Sequence, residues 1–345
     1  MKAAVIRKQD GRKILAFEDM ADPAPGTPTE VVVKVAATGI CGSDLHGILD
    51  AEGTSRSPGL IIGHEAAGQV VAVGSAVTRV TPGDRVAVDP QVTCGVCVPC
   101  QSGWGSICAR KKVTGSSLRG FVQGSMAELM AVEEGQLFIL PDNVPYSRAA
   151  LAEPLSNALH VVNRIGLAGG ELVVVLGAGP LGLCLLSSLR AAGVQRVVVT
   201  DVSAHRRSVA LSLGAEAAVG PAEVASLVAE LTGELGADVV VESVGIDATY
   251  TQAIEIVRRR GKVMFFGAVQ PTVTMPLMPV LHKELQLIGC TGANEEMGQA
   301  VSLLAAGTVN LDAMITHQYP LAEADRALRA LADASSGSIK VQVTA

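Results

Sequence analysis

The stretch Leu172-Val173-Val174-Val175-Leu176-Gly177-Ala178-Gly179-Pro180-Leu181-Gly182 decides the fold. Its first five residues are uniformly apolar, the pattern of a strand buried on both faces of a parallel sheet. Three glycines follow at Gly-x-Gly-x-x-Gly spacing, and residues 183–192 then run as a helix that Gly193 closes. Arg196-Val197-Val198-Val199-Thr200-Asp201 reads as the next strand, ending in an acid. Strand, glycine turn, helix and acid-tipped strand together are the signature of a dinucleotide site. Gly177 makes the tight turn, Gly179 lets backbone amides approach a pyrophosphate, and Gly182 permits close helix–strand packing. Pro180 and Leu181 begin the helix whose N-terminus offers free N–H groups and partial positive charge to that anion. Asp201 would accept hydrogen bonds from the adenosine ribose hydroxyls and repel a 2′-phosphate, which favours NAD over NADP. Arg206 and Arg207 follow closely and can either receive a 2′-phosphate or lie on a solvated helix face; with Asp201 present the solvated face is favoured, and Arg206 is kept among the candidate cofactor-binding residues.

Outward from this unit, strand–helix alternation continues through residues 237–242, 250–257, 262–266 and 284–289, which predicts a doubly wound parallel sheet. The first third reads differently. Short strands at 3–7, 30–37, 67–73 and 85–88 are punctuated by turns such as Pro23-Ala24-Pro25-Gly26 and Pro82-Gly83-Asp84, a β-rich pattern. Residues 147–167 read as a helix, with Ser147 as its cap and Gly166 as its stop, and the tail adds two helical runs and a final strand at 339–343. At 345 residues the chain is too long for one ordinary core, so two domains are expected.

Charge and hydropathy exclude several function classes. With 27 Lys and Arg against 33 Asp and Glu, the formal charge of −6 gives no basic patch for nucleic acid and no polybasic segment for a membrane surface. Mean hydropathy of +0.39 reflects buried strands, because the longest apolar runs are far too short to span a bilayer. The N-terminus, Met1-Lys2-Ala3-Ala4-Val5-Ile6, lacks the apolar core and cleavage site of a signal peptide, so a soluble, cytoplasmic protein is expected.

Four of the seven cysteines crowd together as Cys94, Cys97, Cys100 and Cys108, separated by Gly and Pro residues that let the backbone turn. Four thiolates at this spacing can converge on one tetrahedral zinc; a pair of disulfides is the competing reading and suits a cytosolic chain poorly. A site closed by four protein ligands holds a loop and does no chemistry. A second set of donors is dispersed: Cys41 in Cys41-Gly42-Ser43-Asp44-Leu45-His46, His64 and Glu65 in Gly63-His64-Glu65, and Glu153 in Ala152-Glu153-Pro154-Leu155. Thiolate, imidazole and carboxylate are the ligand types of a catalytic zinc with an open position, although each alone is as well explained by packing or a turn. A zinc of that kind beside a dinucleotide implies hydride transfer between an alcohol and a nicotinamide, since the metal lowers the pKa of a bound hydroxyl and polarises a carbonyl in reverse.

These motifs, in this order and with Pro82-Gly83-Asp84-Arg85-Val86, Glu153-Pro154-Leu155-Ser156 and Val199-Thr200-Asp201-Val202-Ser203, resemble the zinc-dependent medium-chain dehydrogenase/reductase superfamily over essentially the whole chain. The closest resemblance is to the polyol branch of sorbitol and butanediol dehydrogenases, with threonine dehydrogenases nearby. The resemblance implies a GroES-like β-rich catalytic domain over residues 1–155 holding two zincs, and a Rossmann domain over 156–292. It also implies a segment over 293–345 that returns to the catalytic domain, and an active site in the interdomain cleft. Cys41 and His64 would bind the catalytic zinc, with Glu65 and Glu153 competing for the remaining protein position. Asp44 would orient the imidazole, and Ser43 and His46 would relay the hydroxyl proton to solvent. Val244, Phe266 and Gly267 would contact the cofactor, largely through backbone. A homotetramer or dimer acting on a small alcohol or ketone is implied, and the unusual run from Gly120 to Glu128 hints at a less aromatic pocket suited to a polyhydroxylated substrate.

Overall fold

The opening of the chain folds as an antiparallel hairpin, β1 (Lys2–Gln9) against β2 (Arg12–Asp19). The computed structural model describes residues 1–49 and 55–345. Through the first half the elements run β3 (Glu30–Gly39), α1 (Gly42–Leu49), β4 (Glu65–Val73), β5 (Arg85–Val88), β6 (Gln91–Val92) and α2 (Val98–Gln101). They continue with β7 (Lys112–Val113), β8 (Leu129–Glu133), β9 (Leu137–Ile139), α3 (Tyr146–Ala149) and α4 (Ala152–Ile165). The helix expected over 147–167 is thus two helices. Pro154 explains the interruption: it has no N–H to continue an α-helical ladder and is tolerated only in a first turn, which is where α4 places it.

The middle of the chain alternates as expected: β10 (Leu172–Leu176), α5 (Pro180–Ala191), β11 (Arg196–Thr200), α6 (Ala204–Ser212), β12 (Ala217–Val219) and α7 (Val224–Thr232). After them come β13 (Ala237–Glu242), α8 (Asp247–Ile256), β14 (Val257–Phe265), α9 (Leu277–His282) and β15 (Gln286–Gly289). These six strands form one all-parallel sheet in the order β12-β11-β10-β13-β14-β15. The order reverses between β10 and β13, the switch point at which doubly wound sheets open a ligand crevice. Every residue of β10 is buried, and Leu172, Val174, Leu176, Val198, Val240 and Val263 pack in one core cluster.

The chain closes with α10 (Glu296–Ala305), β16 (Ile315–Pro320), α11 (Ala324–Ala332) and β17 (Lys340–Thr344). β17 pairs antiparallel with β3, which inserts the C-terminal strands into the β-rich sheet in the order β16-β17-β3-β4-β5-β9, with β8 also on β3. Val31, Val33, Val70, Val86 and Val132 fill one side of that sheet, and Val341 and Val343 share a second core with Ile6, Ile40 and Ile62. Contacts divide the chain into two units: Met1–Glu153 with Asn294–Thr308 and Ile315–Ala345, and Pro154–Ala293 with Val309–Met314. Against the limits read from sequence, these shift by one or two residues, and Val309–Met314 goes with the second unit.

Candidate active site

The four-cysteine loop converges. Sγ–Sγ distances are 3.4 Å for Cys97–Cys100, 3.5 Å for Cys94–Cys108, 3.7 Å for Cys97–Cys108 and 3.9 Å for Cys94–Cys100. Zinc–sulfur bonds of about 2.3 Å place the corners of a tetrahedron about 3.8 Å apart. The separations match that figure and are far beyond a sulfur–sulfur bond of about 2.05 Å, so the disulfide reading fails. Amides of Val96 and Cys97 draw the Cys94 thiol down to about 5, whereas burial and the neighbouring Cys97 and Cys108 push Cys100 up to about 11. Crowded thiols divide their protons in this way when no cation neutralises them.

A second group of donors assembles at the junction of α1 and β4. Ligand atoms of Cys41, His64 and Glu65 lie within 4.8 Å of one another, with His64 and Glu65 buried. The donor set fits a zinc that keeps a position open. Glu153, half-buried near the start of α4, is outside this group of mutually close ligand atoms. Asp44 is fully buried in the first turn of α1 and faces His64 Nδ1 at 3.5 Å through Oδ1. Burial alone would raise the Asp44 carboxyl, but His64, Arg56 and the Cys41 amide hold it well below the usual carboxylate range. Burial would likewise lower His64, yet Asp44 and Cys41 raise it well above an ordinary histidine.

In the second unit, the glycine turn takes the form its spacing demands. Gly177 adopts φ +101°, and a Cβ on Gly182 would overlap the Gly177 carbonyl, so α5 packs against the turn only as glycine. Gly179 caps α5, and Pro180, Leu181 and Gly182 form its first turn. Asp201, at the tip of β11, accepts from Ala178 N–H through Oδ2 and from Ser203 N–H through Oδ1, each at 2.8 Å. The carboxylate is therefore locked between the glycine turn and the start of α6. Arg206 lies on α6, and Arg207 donates to the Asp201 and Val202 carbonyls. Val244, Phe266 and Gly267 lie just past the ends of β13 and β14.

Residues 27–142 match the Alcohol dehydrogenase GroES-like domain, and residues 180–306 match the Zinc-binding dehydrogenase family. L-idonate 5-dehydrogenase of Vitis vinifera is 32% identical over 91% of this chain and 87% of its own length. The chain belongs to the zinc-dependent medium-chain dehydrogenase/reductases. Sorbitol dehydrogenase of Bacillus subtilis (strain 168) is 31% identical to this dehydrogenase over 99% of the chain and 97% of its own. A Sinorhizobium meliloti 1021 protein classed as a zinc-binding dehydrogenase, solved bound to NADP, superposes with a TM-score of 0.89 at 31% identity, covering 100% of this chain and 99% of its own. The polyol branch, the GroES-like unit and the Rossmann unit expected from sequence agree with these findings.

Within the dehydrogenase, Ser43 and His46 are both exposed and sit three residues apart on α1, one helical turn and on one face. Two residues not singled out in sequence, Arg56 and Lys340, complete the surroundings of the Cys41 group, and Ser243 of the segment expected to line the cofactor acts in the second unit. Arg56 is buried and donates Nε at 3.1 Å and Nη2 at 3.0 Å to Asp44 Oδ1, with Nη2 also 3.5 Å from Ser43 Oγ. Lys340, the first residue of β17, donates to both carboxylate oxygens of Glu65. Ser243 donates to the Leu176 carbonyl at 2.7 Å and braces the glycine turn from beneath. For Lys340 the signal was a charge between Ile339 and Val341 in a strand pattern, which requires a buried partner, whereas Arg56 sits in the polar run from Gly53 to Gly59 and carried no signal.

Proposed function

We propose that the dehydrogenase oxidises a secondary hydroxyl of a polyol, diol or cyclitol-like substrate to a ketone, passing hydride to NAD. The observation that carries the reaction class is the Cys41, His64 and Glu65 group, with Asp44 behind the imidazole. Cys41 and His64 would hold the catalytic zinc, with Glu65 or Glu153 as the exchangeable carboxylate, and Cys94, Cys97, Cys100 and Cys108 would hold a structural one. Bound there, zinc supplies Lewis acidity that lowers the pKa of an alcohol hydroxyl, and the nicotinamide accepts the hydride. Asp44 fixes the ring of His64 so that one nitrogen faces the metal position. Ser43 can accept a proton while donating its own, and the exposed imidazole of His46, a turn further along α1, can pass it to solvent.

The acid at position 201 supports NAD. Its carboxylate is buried and held by two amides, and it brings negative charge to the ribose end of the site, where a 2′-phosphate would be repelled. The idonate and sorbitol dehydrogenases support a polyhydroxylated substrate. A homo-oligomer in the cytoplasm is proposed alongside: β15 is an edge strand, and Leu277, Met278 and Leu281 on α9 expose apolar surface. Among the described residues, no helix is long and apolar enough to cross a membrane.

The test is formation of reduced nicotinamide on a panel of polyols, diols, threonine and simple alcohols, with NAD or NADP, before and after chelation and zinc add-back. Turnover of a polyol or diol with NAD, lost on chelation and restored by zinc, is expected. Turnover confined to threonine or to NADP overturns the substrate or the cofactor assignment, respectively.

A further inference from the structure

Glu242 ends β13 with a carboxylate that has no exposed surface, an unusual place for a charge. Its Oε1 accepts three hydrogen bonds: from Val244 N–H at 2.8 Å, from Gly245 N–H at 2.7 Å and from the Thr249 hydroxyl at 2.7 Å. Its backbone carbonyl accepts two more, from Phe266 N–H at 3.0 Å and Gly267 N–H at 2.9 Å. One residue thus ties together the loop after β13 and the loop after β14. The two loops meet glycine to glycine. A Cβ on Gly245 would strike the Ala268 and Val269 amides, and a Cβ on Gly267 would strike the Gly245 amide and Glu242 Oε2. Tyr250 closes the same junction by donating its hydroxyl to the Gly267 carbonyl at 2.8 Å, with its ring edge-on to Phe265. Glu242 Oε2 is buried without a well-formed hydrogen bond among the described residues, and burial together with the neighbouring Glu242 carboxylate raises the pKa of the Tyr250 phenol. An apolar residue here would leave the Val244 and Gly245 amides and the Thr249 hydroxyl without this acceptor, so the carboxylate holds the shape of this loop.

The sheet order indicates what that shape serves. Asp201 marks the ribose side at β11, and the glycine turn marks the pyrophosphate at β10. β13 and β14 lie on the opposite side of β10 from β11, so a dinucleotide laid across the strand ends places its second half over the loops that Glu242 joins. We propose that Glu242 is a positioning residue for the nicotinamide half of the cofactor. It does not touch the cofactor. Its carboxylate fixes the backbone of residues 244–245, which packs directly against residues 267–269, and the outward groups of these two loops form that half of the site. This rests on the second unit binding a nicotinamide dinucleotide.

The test separates the two halves by calorimetric titration of the full-length protein with NADH, with NADPH in parallel, and with ADP as a probe of the adenosine half alone. Glu242→Leu removes the acceptor and keeps an apolar filler. It is expected to weaken NADH by about tenfold or more, since charge-assisted hydrogen bonds are lost, while ADP affinity stays within about twofold. Glu242→Gln retains an oxygen for the same three donors and is expected to bind NADH within about threefold of the unaltered protein. Zinc content should be unchanged in both. NADH binding unaffected in Glu242→Leu, or NADH and ADP affinities falling together, overturns the proposal. If Glu242→Leu fails to fold, Thr249→Val takes its place, with a smaller loss confined to NADH expected and no selective loss overturning it. Should the unaltered protein bind neither NADH nor NADPH, the dinucleotide reading itself fails, an outcome distinct from a silent Glu242.

Discussion

Lys340 and Glu65 are 275 residues apart in sequence, and the Lys340 ammonium donates to both Glu65 carboxylate oxygens at 2.7 Å. Both side chains are almost completely buried, and the ammonium also reaches the Ile40 carbonyl at 3.3 Å. The pairing follows from topology: β17 adds to β3, β3 pairs with β4, and Gly39 of β3 sits opposite Glu65. Lys340 therefore competes with any metal for the carboxylate. Lys340→Met leaves Glu65 buried without its cation, which should cost the metal-free protein about 3–5 kcal/mol. With zinc added, the freed carboxylate gains a different cation, so the loss should shrink. Thermal or denaturant unfolding of both forms checks this; an equal loss with and without zinc would show that Glu65 never reaches the metal.

Arg56 and His64 share a single oxygen, Asp44 Oδ1. His64 and then Arg56 keep Asp44 ionised against its burial, and the ionised carboxylate in turn raises the imidazole. Removing partners behind a ligating histidine lowers metal affinity by about 10–100-fold in comparable sites. Asp44→Asn should fall in that range at the catalytic site and leave the four-cysteine site full. Arg56→Met and Asp44→Asn should each destabilise the fold, because each strands the other member of a buried ion pair, and the double variant should recover stability relative to either alone. Zinc content by elemental analysis, paired with unfolding curves, distinguishes these outcomes.

The features legible in the sequence were those written in local spacing. The turn from Gly177 to Gly182 needs its neighbours within a dozen residues, and the four cysteines fall within fifteen, so both could be read directly. Strand β2 was missed because Arg12, Lys13, Glu18 and Asp19 mask its alternation, although Asp10-Gly11, both at positive φ, is a hairpin turn signal. The helix over the Cys41 motif was read only as a string of site residues. Lys340 and Arg56 were invisible as site components, and Glu242 was legible only as part of a cofactor-lining segment without a role of its own, since their partners are fixed by strand pairing and loop packing rather than by sequence distance.

Zinc uptake at the catalytic group should depend on pH through His64. Burial pulls its pKa down, but Asp44 and Cys41 raise it well above the usual value in the metal-free protein. A raised folded value means that the proton's stabilisation of the metal-free fold is fully present below the unfolded pKa of about 6.5 and is lost as pH rises through the folded value. Zinc requires the neutral ring, so the proton competes with it. Apparent affinity at this site should climb by about tenfold per pH unit for each proton displaced, until His64 is neutral without help. Chelator competition across neutral pH measures the slope. In Asp44→Asn the slope should flatten, because the group that raises His64 is weakened; a pH-independent affinity in the unaltered protein would contradict the assignment of His64 as a ligand.

The four-cysteine loop contains its own reporter. Trp104 is the sole tryptophan, lies between Cys100 and Cys108, and is more than half exposed. Ser106, two residues on, is held by Asn294 Oδ1 at 2.9 Å and by Lys111, so the loop is anchored on both sides while the sulfurs close its base. Stripping zinc should release that base and change tryptophan emission, and Cys108→Ser should show the stripped spectrum from the outset. His64→Ala should leave emission unchanged, since it empties only the other site. In the stripped protein the thiols should react unequally with an alkylating reagent. Cys94, drawn down to about 5, is thiolate at neutral pH, while Cys100, pushed up to about 11, keeps its proton. Mass spectrometry after brief alkylation should find Cys94 modified well before Cys100, and zinc should protect both; equal labelling in the presence and absence of zinc would remove the case for a metal in this loop.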